Sequence, residues 1–307
     1  MTGRKAGILL AFATACVSGV AIWVNSRAGT HFADATVYTT AKDAIAGALL
    51  VVLAVSWPGR KAHASASNNV LQGRKRALGL AAVAVIGGSI PFVLFFEGLA
   101  RATATQASFL QKTLVIWVAL LAVPLLREKV RWPHVAAIAL LIAGQAWLVP
   151  AVGTVRFGVG EAMILGATLL WSVEVIVVKK LLAGMSPRTL AAARMGLGTA
   201  LLFGWLVVDG KMGTFTSLGT EQWRWVVLTG LILTAYVATW YTALSLAGAI
   251  DVTAVLVFGA FVTAFLQAAV QGVALGPQTL GLVLVAGGTA VVMAAARRST
   301  LPVEAAV

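Results

Sequence analysis

The sequence predicts an all-α integral membrane protein with ten transmembrane helices in two inverted five-helix repeats. Three observations carry that expectation: an apolar composition, a series of span-length apolar stretches, and an echo of the first half in the second. Of 307 residues, 60% are hydrophobic and 11% charged. Soluble domains hold about 45–50% apolar and about 25% charged residues. Mean hydropathy is +0.94. A soluble chain of this composition would lack the polar surface to cover its core.

A membrane-spanning helix needs about 20 consecutive, mostly apolar residues. Ten stretches qualify, at about 7–25, 35–56, 77–98, 102–125, 133–150, 159–180, 188–208, 223–245, 252–272 and 277–296. The first follows Arg4 and Lys5 and reads as a retained helix, since another span rather than a soluble domain comes after it. Connections at Ala100–Arg101 and Ala249–Asp251 are short enough to imply antiparallel neighbours.

Lys and Arg total 23 and the net charge is +13, read here as topology rather than nucleic-acid binding. With a cytoplasmic N-terminus, the inside segments hold fifteen: Arg4, Lys5, Arg60, Lys61, Arg74, Lys75, Arg76, Arg127, Lys129, Arg131, Lys179, Lys180, Arg188, Arg297 and Arg298. The outside segments hold five: Arg27, Arg101, Arg156, Lys211 and Arg224. Both termini are therefore expected in the cytoplasm, with the segment His63–Asn69 as a mobile inner loop and the tail after Arg298 disordered. Cys16 has no partner for a disulfide, and His31, His63 and His134 form no ligand-spaced pair, so neither metal nor cofactor is expected.

The two halves echo each other in order. Gly166–Ser172 repeats the pattern of Phe12–Ser18, Ala191–Arg194 that of Thr39–Lys42, and Tyr241–Ser245 that of Phe96–Ala100. Glu128 with Gly144 and Gln271 with Gly287 share one spacing. Residues 1–150 are thus the first five-helix repeat and 151–307 the second, within a single membrane domain. An odd number of spans per repeat inverts the second half, and such folds place a substrate near the midplane.

Charged groups inside spans are costly and mark function or pairing. Lys42 is a candidate partner for a substrate carboxylate, although its ammonium could instead snorkel outward. Asp43 is adjacent, but neighbours on a helix point about 100° apart and need not pair. Lys112, beside Gln106, Gln111 and Thr113, is expected to face water, and Glu174 to pair with Lys112 or Arg194. Arg194 has headgroup neutralisation as its other reading, and Glu97 with Arg101 reads as a surface pair. Trp171, Tyr38, Phe92, Phe109, Tyr241, Trp117 and Trp240 are candidate walls for an apolar body. Trp57, Trp132, Trp223 and Trp225 read as an interface belt. Gly87-Gly88 before Pro91 predicts a weakened helix, serving either as a hinge or for close packing.

The stretch Pro124–Pro133 followed by Ala139–Gly144, together with Trp171, Lys179 and Arg194, resembles the drug/metabolite transporter superfamily, in its ten-span EamA-type branch. Val17, Lys42 and Gln271 depart from the tryptophan, arginine and glutamate usual there. The chain looks most like the YddG-type amino-acid exporters. That resemblance implies export of neutral and aromatic amino acids from the bacterial inner membrane through a central cavity, by a monomer or weak homo-oligomer in the lipid bilayer. Trp171, Lys42, Tyr38, Phe92, Phe109, Lys112, Glu174 and Tyr241 are the expected substrate-binding residues. A multidrug or nucleotide-sugar-like substrate is the alternative, then a channel. A membrane-embedded lipid enzyme ranks last, because no nucleophile–base pair or mid-span histidine is present.

Overall fold

The computed structural model describes residues 3–56, 70–130, 132–148, 157–271 and 279–298. The expected inner loop and the disordered tail both lie outside the described residues. Among the described residues fourteen α-helices follow one another: α1 (Gly3–Ala28), α2 (Ala35–Ser56), α3 (Val70–Ile86), α4 (Ile90–Leu99), α5 (Ala104–Lys112), α6 (Leu114–Leu126), α7 (Trp132–Leu148), α8 (Val159–Leu181), α9 (Pro187–Val208), α10 (Met212–Thr216), α11 (Thr220–Leu246), α12 (Ala249–Leu256), α13 (Phe258–Gln271) and α14 (Thr279–Arg298). There is no strand among the described residues.

Local chemistry explains many of the ends. Thr103 Oγ1 accepts the Gln106 N–H while Gln106 Oε1 accepts the Thr103 N–H, a capping box that starts α5. Ser186 caps α9 ahead of Pro187. Glu161 and Gln222 reach back to the N–H groups of Gly158 and Gly219, starting α8 and α11. Arg127 ends α6 in the left-handed region at φ 55°. Inside the helices, hydroxyls such as Thr168, Ser172, Thr234 and Thr253 donate to the carbonyl four residues back, so they bring no unmet polar group into an apolar medium.

Among the described residues eight segments are long and apolar enough to cross a membrane, including Gly73–Leu99, Gln106–Leu126 and Ala249–Val270. These three are each built from two helices, where the sequence suggested single spans. The first break, at 87–89, falls on the Gly-Gly pair, and Pro91 opens α4. The other two, at Thr113 and Val257, carry neither glycine nor proline. The turn expected at Ala249–Asp251 lies earlier, at Ala247–Gly248, and Asp251 belongs to the first turn of α12.

Packing repeats between the halves. α1 packs on α11, α12 and α13, while α8 packs on α4, α5 and α6. α2 lies against α11 as α9 lies against α3, and two pairs of equivalent helices, α2 with α9 and α7 with α14, also meet across the halves. Large apolar side chains such as Val52, Leu120, Leu201, Trp205 and Leu231 are exposed on the outside, as a lipid-facing surface requires. Trp132 is exposed and Trp223 borders on it, in keeping with a belt position.

The Gly-Gly break is also a close contact. A Cβ on Gly88 would collide with the Arg194 carbonyl, one on Gly87 would lie 2.7 Å from the Glu174 carboxyl carbon, and one on Gly198 would collide with the Gly88 carbonyl. Kink and close packing are therefore the same feature here. Gly198→Leu should destabilise the fold by about 1–3 kcal/mol through overpacking. Gly204→Leu, on the same helix with nothing within 4 Å of its Cβ position, should be near neutral. Thermal unfolding of the two variants in detergent measures the difference.

Candidate functional site

A cavity lined by residues of both halves lies between them. Trp171, from the middle of α8, stands on its wall. Its indole N–H donates to the Gly87 carbonyl at 3.1 Å, a carbonyl left available by the break between α3 and α4. Its ring meets Phe92 edge-on at 5.6 Å between centroids and Phe95 at 5.5 Å. Phe96, Tyr236 and Trp240 extend the aromatic lining.

Three cations surround this space. Lys42 Nζ lies 2.8 Å from Asp43 Oδ1, and both residues are fully buried. Adjacent helix positions need not pair, but these two do, because the long lysine stem folds back far enough to reach. The same ammonium is 4.0 Å from the Phe96 ring centroid and 4.9 Å from that of Phe92. Arg194 Nε lies 3.3 Å from Glu174 Oε1. The pair is a charge contact rather than an aligned hydrogen bond, and Nη1 is buried without an acceptor. At 3% exposure Arg194 cannot be a headgroup ligand. Tyr241 Oη donates to Glu174 Oε1. Lys112 Nζ donates to Ser18 Oγ and Gln111 Oε1, each at 2.9 Å.

Of the eight residues expected to bind substrate, Trp171, Lys42, Phe92 and Glu174 line the cavity. Tyr241 and Lys112 stand behind the wall, bonded to residues on it. Tyr38 is also behind it, its hydroxyl donating to Asn25 Oδ1. Phe109 is not on the wall. Gln111 is, and Phe109 lies about 200° round the same helix from it. Trp117 is likewise off the wall, bonded to Thr113. Asn25 and Tyr236 were not legible as site residues. Asn25 lies near a helix end, where polar residues are common, and an isolated mid-span tyrosine reads equally well as packing. Among the described residues no cluster of His, Cys, Asp or Glu could hold a metal ion.

A polar clamp closes the end of the bundle where α1 starts and α12 begins. Glu128 accepts the N–H groups of Ala249 and Ile250, at 2.7 and 3.0 Å, at the buried N-terminus of α12. Lys179 donates to the Leu244 and Ala247 carbonyls at the end of α11, each at 2.8 Å. Arg4 bridges to Asp251 at 2.9 Å. At the opposite end, Lys211 lies 2.8 Å from Asp34 and 2.7 Å from Asp209. Glu97 pairs with Arg101 as expected and also accepts from Thr36.

The sequence pattern of the EamA-like transporter family matches residues 5–149 and again residues 158–294. The chain belongs to the EamA-like transporter family. It is thus a membrane transporter of the drug/metabolite superfamily, with the two-repeat architecture of that family. One crystal structure is similar over 97% of this chain and 99% of its own length, with a TM-score of 0.72 and 17% identity, which shows a shared fold. No curated protein sequence matches this EamA-like chain.

The Asp34 link has a pH signature. Partial burial pushes the carboxyl up, but the hydrogen bond from Lys211, the Val37 N–H and the lysine charge outweigh it and hold the group below its usual range. A depressed carboxylate contributes stability above its unfolded value, about 3.9, and that contribution fades as pH falls through the folded value. Wild type should therefore be more stable than Asp34→Asn at neutral pH, with the gap closing below about pH 4. Parallel thermal unfolding across pH 3–7 checks this.

Proposed function

We propose that this chain exports small amphipathic metabolites, first among them neutral and aromatic amino acids, across a bacterial inner membrane by alternating access, as a YddG-type member of its family. In this reading ten helices cross the bilayer as two inverted repeats, residues 1–150 and 151–307, with both termini in the cytoplasm. The observation that carries the reading is the cavity itself. Aromatic rings line it, cationic and anionic groups share it, and a clamp of hydrogen-bonded charges closes one end. Rings accommodate an apolar side chain and attract an ammonium, while the buried cations suit a carboxylate.

An organic cation is less well served. Glu174, the one carboxylate on the cavity wall among the described residues, already faces Arg194 and Tyr241. The fifteen-to-five excess of basic residues supports a cytoplasmic position for the clamp, and with it an outward-facing resting state. Among the described residues no carboxylate on the cavity wall lacks a cationic partner, and export down a concentration gradient requires the fewest parts.

Purified protein in liposomes should take up radiolabelled phenylalanine or leucine saturably, with and without a pH gradient. Trp171→Ala should lower that uptake at least about tenfold, since it removes a ring that contacts two others and a hydrogen bond to the α3–α4 break. Absence of amino-acid uptake by folded protein would overturn the substrate assignment. Glu128→Gln weakens the cap on α12, a change of about 1–2 kcal/mol. It should raise maleimide labelling of Leu256→Cys, in a Cys16→Ser background, several-fold in inverted vesicles, an amount that follows from about that shift in population.

A further inference from the structure

The charges around the cavity do not balance. Asp43 compensates Lys42 and Glu174 compensates Arg194. Lys112 has no carboxylate beside it among the described residues. Its partners are the neutral oxygens of Ser18 and Gln111, and it is 3% exposed. A buried ammonium without a counter-ion is costly, and proteins keep one where something else supplies the opposite charge.

The surroundings of Lys112 identify what supplies it. Ser18 and Gln111 both line the cavity, so the ammonium sits directly behind its wall. It lies at the end of α5, where the break at Thr113 separates α5 from α6, and next to Gly259, just past the break at Val257. A Cβ on Gly259 would be 3.3 Å from Nζ, so the missing side chain leaves the ammonium room. An ammonium has three N–H donors. Ser18 and Gln111 take two, which leaves one for a ligand oxygen.

We propose that Lys112, rather than Lys42 or Arg194, is the docking group for the substrate's anionic end, and that the substrate class is a molecule with one carboxylate on an apolar body. This assignment rests on the transport reading of the cavity. One uncompensated cation matches one negative group. The apolar body then lies along Phe92, Phe95 and Trp171. A second carboxylate or a phosphate would bring a charge that nothing in the cavity neutralises. A ligand without an anion would leave the ammonium uncompensated.

Thermal-shift and calorimetric binding to the full-length protein in detergent tests this with four probes: phenylalanine, phenylpyruvate, phenylethylamine and phenylsuccinate. The monocarboxylates should bind, and phenylethylamine and phenylsuccinate should bind far more weakly. Lys112→Met should weaken the monocarboxylates by about thirtyfold or more, the size expected when one member of a buried charge pair is truncated. Gln111→Glu keeps the side-chain shape and provides an internal carboxylate for Lys112. It should weaken the same probes even if Lys112→Met does not fold. Affinity within about twofold of wild type in Gln111→Glu, phenylethylamine binding as well as phenylalanine, or no monocarboxylate binding at all would overturn the proposal. Lys112-dependent binding of phenylpyruvate without phenylalanine uptake would uphold the docking group and overturn the amino-acid reading. Phenylalanine uptake with the same KM in wild type and Gln111→Glu would do the reverse.

Discussion

The contact between Arg194 and Glu174 lies where the two halves of the protein meet, and most of the site is arranged around it. Arg194 comes from α9 and Glu174 from α8, and Tyr241 on α11 donates to the same carboxylate. The backbone at Arg194 leaves no room for a side chain on Gly88, and the Glu174 side chain leaves none on Gly87. The pair therefore fixes four helices against one another at the point where α3 gives way to α4. Two buried charges of this kind are stable only with additional partners, and the aromatic rings and the tyrosine hydroxyl supply them. Trp171 closes the same junction by bonding to the Gly87 carbonyl.

Much of this architecture was legible in the sequence, because bilayer thickness imposes a length and lipid imposes a composition. Helix positions followed from those two constraints. The kink in the third span was legible in Gly87, Gly88 and Pro91, since both residue types disfavour a continuous helix. The breaks at Thr113 and Val257 were not, because no local residue chemistry marks them. Trp171 and Glu174 stood out as large or charged groups in mid-span. Whether Glu174 met Lys112 or Arg194 depended on how helices far apart in sequence rotate against each other, and periodicity does not encode that. Whether Lys42 met Asp43 was open for a different reason. Backbone direction separates the two residues, but four methylenes of lysine are longer than that separation.

The internal echo extends to the chemistry. Lys42 and Arg194 occupy matching positions, as do Phe96 and Tyr241, and in each half the cation faces the aromatic residue of its own half. The unprompted breaks at Thr113 and Val257 also fall at matching places, inside Gln106–Leu126 and Ala249–Val270. Symmetry ends at the helix tips. Lys179 ties α8 to the turn between α11 and α12, with two bonds to carbonyls. In the register of Phe12–Ser18 with Gly166–Ser172, its counterpart is Asn25. Asn25 donates within its own helix to Ala21 and accepts from Tyr38, so α1 does not grip the corresponding turn after α4 in that way.

That inequality between the ends has a kinetic consequence for a carrier placed as proposed. A solute arriving from the clamped side must draw on a minority open population, which raises its half-saturating concentration by the inverse of that population. From the other side it meets a preformed cavity. For an uncoupled carrier, thermodynamics keeps Vmax/KM equal in the two directions, so the weaker apparent affinity on the clamped side comes with a higher ceiling. Flux out of the cell would then stay proportional to accumulation over a wide range and saturate late. Lys179, Glu128 and Arg4 would in this way set a working range: the share of the internal pool that leaves per unit time stays constant up to high accumulation.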